Sequence, residues 1–323
     1  MKDSRLKISL VVPVYNEEDS LEKLIESINW QTFRPAEVIL VDGGSTDRTI
    51  EVFEKLCSDN PMYKLVRAGR ATPGKGRNIG IETAHNEWIA LTDAGITLDK
   101  NWLAELVKIG EENAIDVIYG NSSPVRNCFF EKLATYAYIA PQHENGIRTK
   151  SIASSLIKKA VWQKVGGFPD LRAAEDLMFM EKIDKAGFKT ALAPAAMVYW
   201  HLHSNLQSTF KKFVLYSKHN AWINRQWDWH YGIARQYLLM IACVILAFLH
   251  SPWWLLVIIG WLFARTAKGI LRHRYEFGWM MIFNPFIFFG TMFLILIIDL
   301  ATFVGWAQAT LYRKSDNFME THA

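Results

Sequence analysis

Two long stretches of this chain carry almost no charge, and they fix what its C-terminal third can become. From Gln236 to Ala264 there is no Asp, Glu, Lys or Arg, and from Phe277 to Tyr312 the only one is Asp299. Each run exceeds the roughly 20 residues an α-helix needs to cross a bilayer core. Both are therefore expected to be transmembrane. His250-Ser-Pro252 should divide the first run into two short crossings, whereas the second either crosses once or folds back near Asn284-Pro285. Arg265, Lys268, Arg272 and Arg274 are placed between the runs and Arg313 and Lys314 after the last. The positive-inside tendency puts these basic groups on the side of the N-terminal domain.

Charge divides the chain in the same way. Residues 1–200 hold 25 Lys+Arg against 27 Asp+Glu, and residues 201–323 hold 11 against 5. The expected organisation is a soluble domain over 1–205, juxtamembrane interfacial helices over 206–235, a membrane module over 236–312 (regions 236–264 and 277–312), and a polar tail over 313–323. Between Leu206 and Tyr237, aromatic residues such as Phe213, Trp222 and Trp229 alternate with Lys211, Lys212, Lys218, Arg225 and Arg235, a mixture suited to the headgroup layer. The first apolar stretch, Ile8 to Tyr15, ends in Asn-Glu-Glu rather than in small residues, unlike a secretory signal. An integral protein of the cytoplasmic (inner) membrane, with its soluble domain facing the cytoplasm, is the resulting expectation. Cys57, Cys128 and Cys243 form neither a CxxC pair nor an even disulfide set.

In the soluble part, β-branched apolar runs alternate with helical patterns. Ile8–Val14, Glu37–Val41, Tyr63–Arg67 and Trp88–Thr92 read as strands, with helices after Asn16, from Ser45-Thr-Asp47 and from near Gly76. Such alternation implies an α/β fold with a mostly parallel central sheet and ligand groups gathered at strand C-terminal ends. Asn121 to Lys150 resists assignment. Three acidic stations fall at strand ends: Val12-Pro-Val-Tyr-Asn-Glu-Glu18, Val41-Asp-Gly-Gly-Ser-Thr-Asp47 and Thr92-Asp-Ala-Gly95; a fourth is Ala173-Ala-Glu-Asp176. Tyr15 can stack on a nucleobase, and Glu17 and Asp42 can accept hydrogen bonds from a base or ribose. Taken singly, each is more often a turn or cap residue. Gly69-Arg-Ala-Thr-Pro-Gly-Lys-Gly76 nearly matches a phosphate loop but ends in Gly76 where the magnesium-binding hydroxyl belongs.

Together the stations resemble glycosyltransferase family 2 over roughly residues 7 to 205. The resemblance implies the nucleotide-diphospho-sugar transferase fold called GT-A, with Pro13, Tyr15, Glu17 and Asp42 lining the nucleoside pocket. It also places Lys75, Arg77, Asn78 and Asp93 on the nucleotide sugar. Most members read Asp-x-Asp at the third station; here Gly95 replaces the second carboxylate. A divalent cation, Mg²⁺ or Mn²⁺, would then rest on Asp93, with His201 or His203 as further ligands. Gly166-Gly-Phe-Pro-Asp-Leu-Arg172 followed by Glu175-Asp176 matches the family element whose Asp is the general base, so Glu175 and Asp176 are the implied catalytic pair. Arg172 is expected to pair with Glu175 or with an acceptor phosphate.

The leading expectation is a membrane-bound, inverting enzyme using a nucleotide-diphosphate sugar and a lipid-linked acceptor, such as a polyprenyl phosphate or glycolipid. No nucleic-acid partner is expected. A processive polysaccharide synthase is the rival within the same fold, but Asn224-Arg-Gln-Trp227 does not reproduce its Gln-x-x-Arg-Trp element. An inactive membrane scaffold is the rival suggested by Gly95.

Overall fold

The computed structural model describes residues 6–112 and 114–311, so the polar tail lies outside the described residues. The chain divides into two compact units. Among the described residues, the first is built from those up to Val125 and from Ile147–His201; the second takes Arg126–Gly146 and those from Leu202 to Leu311.

In the first unit, β1 (Ile8–Val14), β2 (Glu37–Asp42), β3 (Tyr63–Arg67) and β4 (Trp88–Leu91) alternate with α1 (Leu21–Asn29), α2 (Thr49–Cys57) and α3 (Pro73–Thr83). After β5 (Ile96–Leu98), α4 (Trp102–Glu112) and β6 (Val117–Val125), the chain gives α5 (Phe129–Tyr138) to the second unit. It resumes the first with β7 (Ser155–Lys158), α6 (Lys159–Val165), α7 (Glu175–Lys185) and β8 (Thr190–His201).

The eight strands form one sheet in the order β3-β2-β1-β4-β7-β6-β8-β5. Strands β3, β2, β1 and β4 are mutually parallel, as the alternation predicts. Beyond them the sheet is mixed: β7 runs antiparallel to β4 and β6, and β5 antiparallel to β8. No crossover helix separates β4 from β5, so the parallel rule ends there.

Both faces of the sheet are covered, which is why its central strands are almost uniformly apolar. Leu10, Val12 and Leu40 pack with Leu24, Ile28, Trp102 and Leu106 of α1 and α4. Val11, Ile39 and Val41, of opposite parity, pack with Ile81, Val161, Phe179 and Ile183 of α3, α6 and α7. Helix α3 comes unusually near the sheet: a Cβ on Gly80 would lie 2.3 Å from Val11 Cγ1. Its start is set by Thr72, whose hydroxyl accepts from the Lys75 N–H, and by Pro73 in the first turn. The helix therefore begins three residues before the expected Gly76.

The second unit is helical: α5, α8 (Leu206–Trp222), α9 (Gln226–Trp229), α10 (Tyr231–Leu249), α11 (Trp254–Leu271), α12 (Arg274–Phe277) and α13 (Pro285–Leu311). Helices α10, α11 and α13 are long and apolar enough to cross a membrane. The break at His250–Trp253 falls where His250-Ser-Pro252 predicts it, and the second run forms one crossing-length helix after Pro285. One expectation is corrected. Arg265 and Lys268 lie on α11 rather than between the runs, because the helix continues to Leu271 and buries Thr266 and Ile270. Asp299 of α13 neutralises Arg265 through a two-pronged contact, with Nη2 at 2.7 Å from Oδ1, and accepts from the Tyr237 hydroxyl of α10 at 2.9 Å. A lone acid in an apolar run thus has its partner in the neighbouring helix.

Helix α5 packs within this second unit. Leu133 fills the space over Gly290, and the Tyr136 ring meets His273 and Phe277 edge-on at 5.7 and 5.2 Å. Helix α8 lies against α13, with the Ser217 hydroxyl donating to the Thr302 carbonyl at 2.6 Å.

Candidate active site

The loops after β1 and β2 are tied to each other. Asn16 adopts φ 54°. Its carboxamide oxygen accepts from the Thr46 N–H at 2.8 Å, and the Glu17 N–H donates to the Thr49 hydroxyl at 2.7 Å. These ties draw Ser45–Asp47 into a turn and delay α2 to Thr49, later than the sequence suggests. Asp42 is buried, and its carboxylate accepts from the N–H groups of Gly44 and Ser45 at 3.0 and 3.1 Å. It therefore shapes the β2 turn at the point where a base was expected. Tyr15 is half-buried, with the Arg172 guanidinium 5.0 Å from its ring centre. Arg172 also feels the charge of Glu175, one of its two expected partners. Pro13 packs on α3 beside Gly76, and Lys75 is exposed on the first turn of that helix.

Two of the expected nucleotide contacts have partners within the protein. Asn78 has both ends of its amide engaged by the protein: Nδ2 donates to the Phe168 carbonyl at 2.8 Å, while Oδ1 accepts from the Phe168 N–H at 2.9 Å and the Trp162 indole at 2.8 Å. It holds the Gly166-Gly-Phe168 turn. Arg77 is buried and bridges two carboxylates, Nη1 to Glu175 Oε1 at 2.7 Å and Nη2 to Asp93 Oδ1 at 2.6 Å. Burial opposes its charge, but Asp93 and then Glu175 overcome that and raise its pKa. Glu175 is buried as well, and burial pushes its carboxyl up against the pull of Arg77. The Glu175 carboxylate is thus enclosed with Arg77, whereas its neighbour Asp176 is half-exposed. Arg77, 16 residues before Asp93 and 98 before Glu175, straps the third acidic station to the fourth.

Asp93 keeps 41% of its side chain exposed. Beside it, a Cβ on Gly95 would meet only Glu17 Oε2, at 3.9 Å. Glu17 thus lies near the place of the missing carboxylate. Burial raises its pKa, the Ser20 hydroxyl opposes this, and the charges of Asp93 and Asp47 add to the rise. Crowded carboxylates with one exposed oxygen-bearing arm suit a hard cation that takes its remaining ligands from phosphate and water. Among the described residues no three or more His, Cys, Asp or Glu are gathered as a metal cluster, so the carboxylates beside Gly95 are Asp93 and Glu17. His201 is the last residue of β8, and His203 belongs to the second unit.

Asp176 is half-exposed in the first turn of α7, next to the buried Glu175. The residue before that turn, Ala174, takes φ 67°, a left-handed conformation costing an alanine roughly 1 kcal/mol. Strain of this kind concentrates where a side chain must be aimed. The Gly-rich segment is anchored to the same region, the Thr72 hydroxyl donating to Asp170 at 2.5 Å. Sequence reading missed Asp170 and the strap; Thr72-Pro73, a cap followed by a first-turn proline, was the visible signal for the former.

A sheet of this order with its acidic groups at strand ends defines a nucleotide-sugar transferase fold. The profile described as "Glycosyl transferase family 2" matches residues 9–164, and "Glycosyl transferase family group 2" matches residues 88–302. The chain belongs to glycosyltransferase family 2. Glycosyltransferase GlyG of Streptococcus pneumoniae is 34% identical over 115 residues, 35% of this chain and 38% of that protein. The O-antigen chain rhamnosyltransferase RfbN of Salmonella typhimurium is 24% identical over 238 residues, 68% of this chain and 75% of that protein. The chain spans 38% and 40% of the length of GlyG and of Escherichia coli YibD, an uncharacterized glycosyltransferase. Among solved structures, the mannosyltransferase PcManGT of Pyrobaculum calidifontis in complex with GDP-Man and Mn²⁺ superposes with a TM-score of 0.60 at 20% identity, covering 92% of this chain and 87% of that one. TarS 1–349 of S. aureus in complex with UDP gives 0.51 at 19% identity, covering 95% and 93%. The fold is GT-A.

Proposed function

We propose that this protein is a membrane-embedded, inverting glycosyltransferase that moves a sugar from a uridine or guanosine diphosphate sugar to a lipid-linked acceptor. The observation that carries this reading is Asp176, half-exposed at the start of α7 while Arg77 locks the adjacent Glu175 to Asp93. An acceptor hydroxyl attacks the anomeric carbon from the face opposite the diphosphate. The bond from that carbon to the phosphate oxygen breaks, its electron pair leaves with the nucleoside diphosphate, and the hydroxyl proton passes to the Asp176 carboxylate. Configuration inverts in one displacement. Where the acceptor is already an ionised phosphate, Asp176 orients it instead. Tyr15 and Glu17 face the nucleoside. A divalent cation bound with the donor would neutralise the leaving diphosphate; Asp93 would hold it, with Glu17 adding to the negative field. The three apolar helices support residence in a membrane, and the Lys and Arg before α10 and after α11, among them Lys211, Lys218, Arg272 and Arg274, support a cytoplasmic catalytic unit; a third crossing by α13 would put Arg313 and Lys314 on the other side.

The test is release of nucleoside diphosphate from a panel of nucleotide sugars by the detergent-purified full chain, with extracted membrane lipid. One donor should be consumed only when lipid is present, and chelation by EDTA should stop the reaction. Asp176→Asn should lower turnover by about 10²-fold or more for a hydroxyl acceptor. Full turnover in Asp176→Asn with such an acceptor would remove Asp176 as base.

A further inference from the structure

The helical unit contains a cleft of about 490 Å³ between α10, α11 and α13, within the range of built ligand sites. Its lining divides by chemistry. Trp261, Ile295 and Ile298 supply apolar wall, while Gln236, Lys268 and Arg272 supply polar groups. Trp261, Arg265, Lys268 and Arg272 follow one another at i, i+4, i+7 and i+11, one face of α11. Of the three cations on this stripe, Arg265 is neutralised by Asp299. Lys268 and Arg272 are exposed and have no acidic partner among the described residues. Lys268 lies within an apolar helix of membrane-crossing length and Arg272 caps its end, so the cleft carries an unbalanced double positive charge beside its apolar wall. Small residues keep it open: Ala264 and Gly269 line it, and a Cβ on Gly269 would already meet the Tyr136 carbonyl at 3.3 Å.

We propose that this cleft binds the terminal phosphate (phosphomonoester) headgroup of an anionic membrane lipid, Lys268 and Arg272 holding the phosphate and Trp261, Ile295 and Ile298 receiving the start of its hydrocarbon chain. An ammonium and a guanidinium together match a phosphate oxygen set, and the adjoining apolar wall selects an amphiphile over the free ion. The proposal rests on the reading of α10, α11 and α13 as membrane helices; it does not require that the lipid be the sugar acceptor.

The experiment measures binding of a fluorescent phosphatidic acid to the detergent-solubilised full chain, with dioleoyl phosphatidylcholine and inorganic phosphate as competitors. Lys268→Gln with Arg272→Gln should weaken binding on the order of 30-fold, while removing two exposed cations outside the cleft, Lys211→Gln with Arg274→Gln, should change it less than about threefold. Neither competitor should displace the probe at millimolar concentration. Equal loss in both double variants would show a general charge effect, and displacement by inorganic phosphate would show a free-phosphate site; either overturns the proposal, as does displacement by phosphatidylcholine. Alkaline carbonate extraction of the same cells separates the two readings. A chain washed off the membrane overturns the membrane reading and the cleft with it, whereas a retained chain without phosphatidate selectivity overturns the cleft alone.

Discussion

Arg77 shows how a residue's apparent purpose changes once its partners are known. In the sequence it follows a Gly-rich segment, where a basic side chain points naturally to a phosphate. In the fold it is buried between Asp93 and Glu175. Removing one partner of a buried pair leaves an uncompensated charge, which costs about 3–5 kcal/mol. Arg77→Met should therefore lower the unfolding free energy by about that much, measured by urea denaturation in detergent, and Arg77→Met with Glu175→Met should recover most of the loss. A double variant no more stable than the single one would mean that the strap is not an energetic unit. The acidic stations were legible because each is a contiguous motif, three at strand ends and one at the start of α7. The strap was not, because its members are separated by 98 and 16 residues and nothing local announces the pairing. Asn78 misleads in the same way: its amide looks available in sequence and is consumed by Phe168 and Trp162 in space.

Among the elements, the parallel strands were readable from β-branched runs, and the break at His250–Trp253 from its proline. Boundaries shifted where a tertiary tie outweighed local preference, as when Asn16 captures Thr46 and α2 starts late. The stretch from Asn121 was opaque for a different reason. Strand β6 continues through the polar Asn121-Ser-Ser-Pro124, and α5 then turns its apolar side to helices more than a hundred residues away. Helix packing in the second unit depends on small residues. A Cβ on Gly305 of α13 would lie 2.3 Å from the Val214 carbonyl oxygen of α8, so the two backbones nearly touch. Gly305→Val should force them apart and cost roughly 1–3 kcal/mol by overpacking, lowering the midpoint of thermal unfolding. Gly260→Ala on α11 has nothing within 4 Å to meet and should leave the midpoint unchanged or raise it. Identical shifts in the two variants would argue against close α8–α13 packing.

At the scale of the molecule, sequence order and spatial membership part company. The composition places a boundary near residue 205, yet Arg126–Gly146 is built into the compact unit that also holds the described residues from Leu202 onward. Within that unit Tyr136 is buried against Ile270, Ile287 and Phe288, and Leu133 is buried over Gly290. A fragment ending at residue 205 would keep α5 and remove every helix of α11 and α13 on which it packs. Leu133, Tyr136 and Ile139 would then face water, and burying a single large side chain of this kind is worth about 1.5–3 kcal/mol. The fragment should self-associate in the absence of detergent, and limited proteolysis should cut it within 126–146 while the full chain in detergent resists there. Analytical ultracentrifugation of the fragment decides the first point and mass spectrometry of the digest the second. A monodisperse fragment, protected over 126–146, would mean that α5 finds equivalent burial without the C-terminal helices, and that the transferase fold is independent of them.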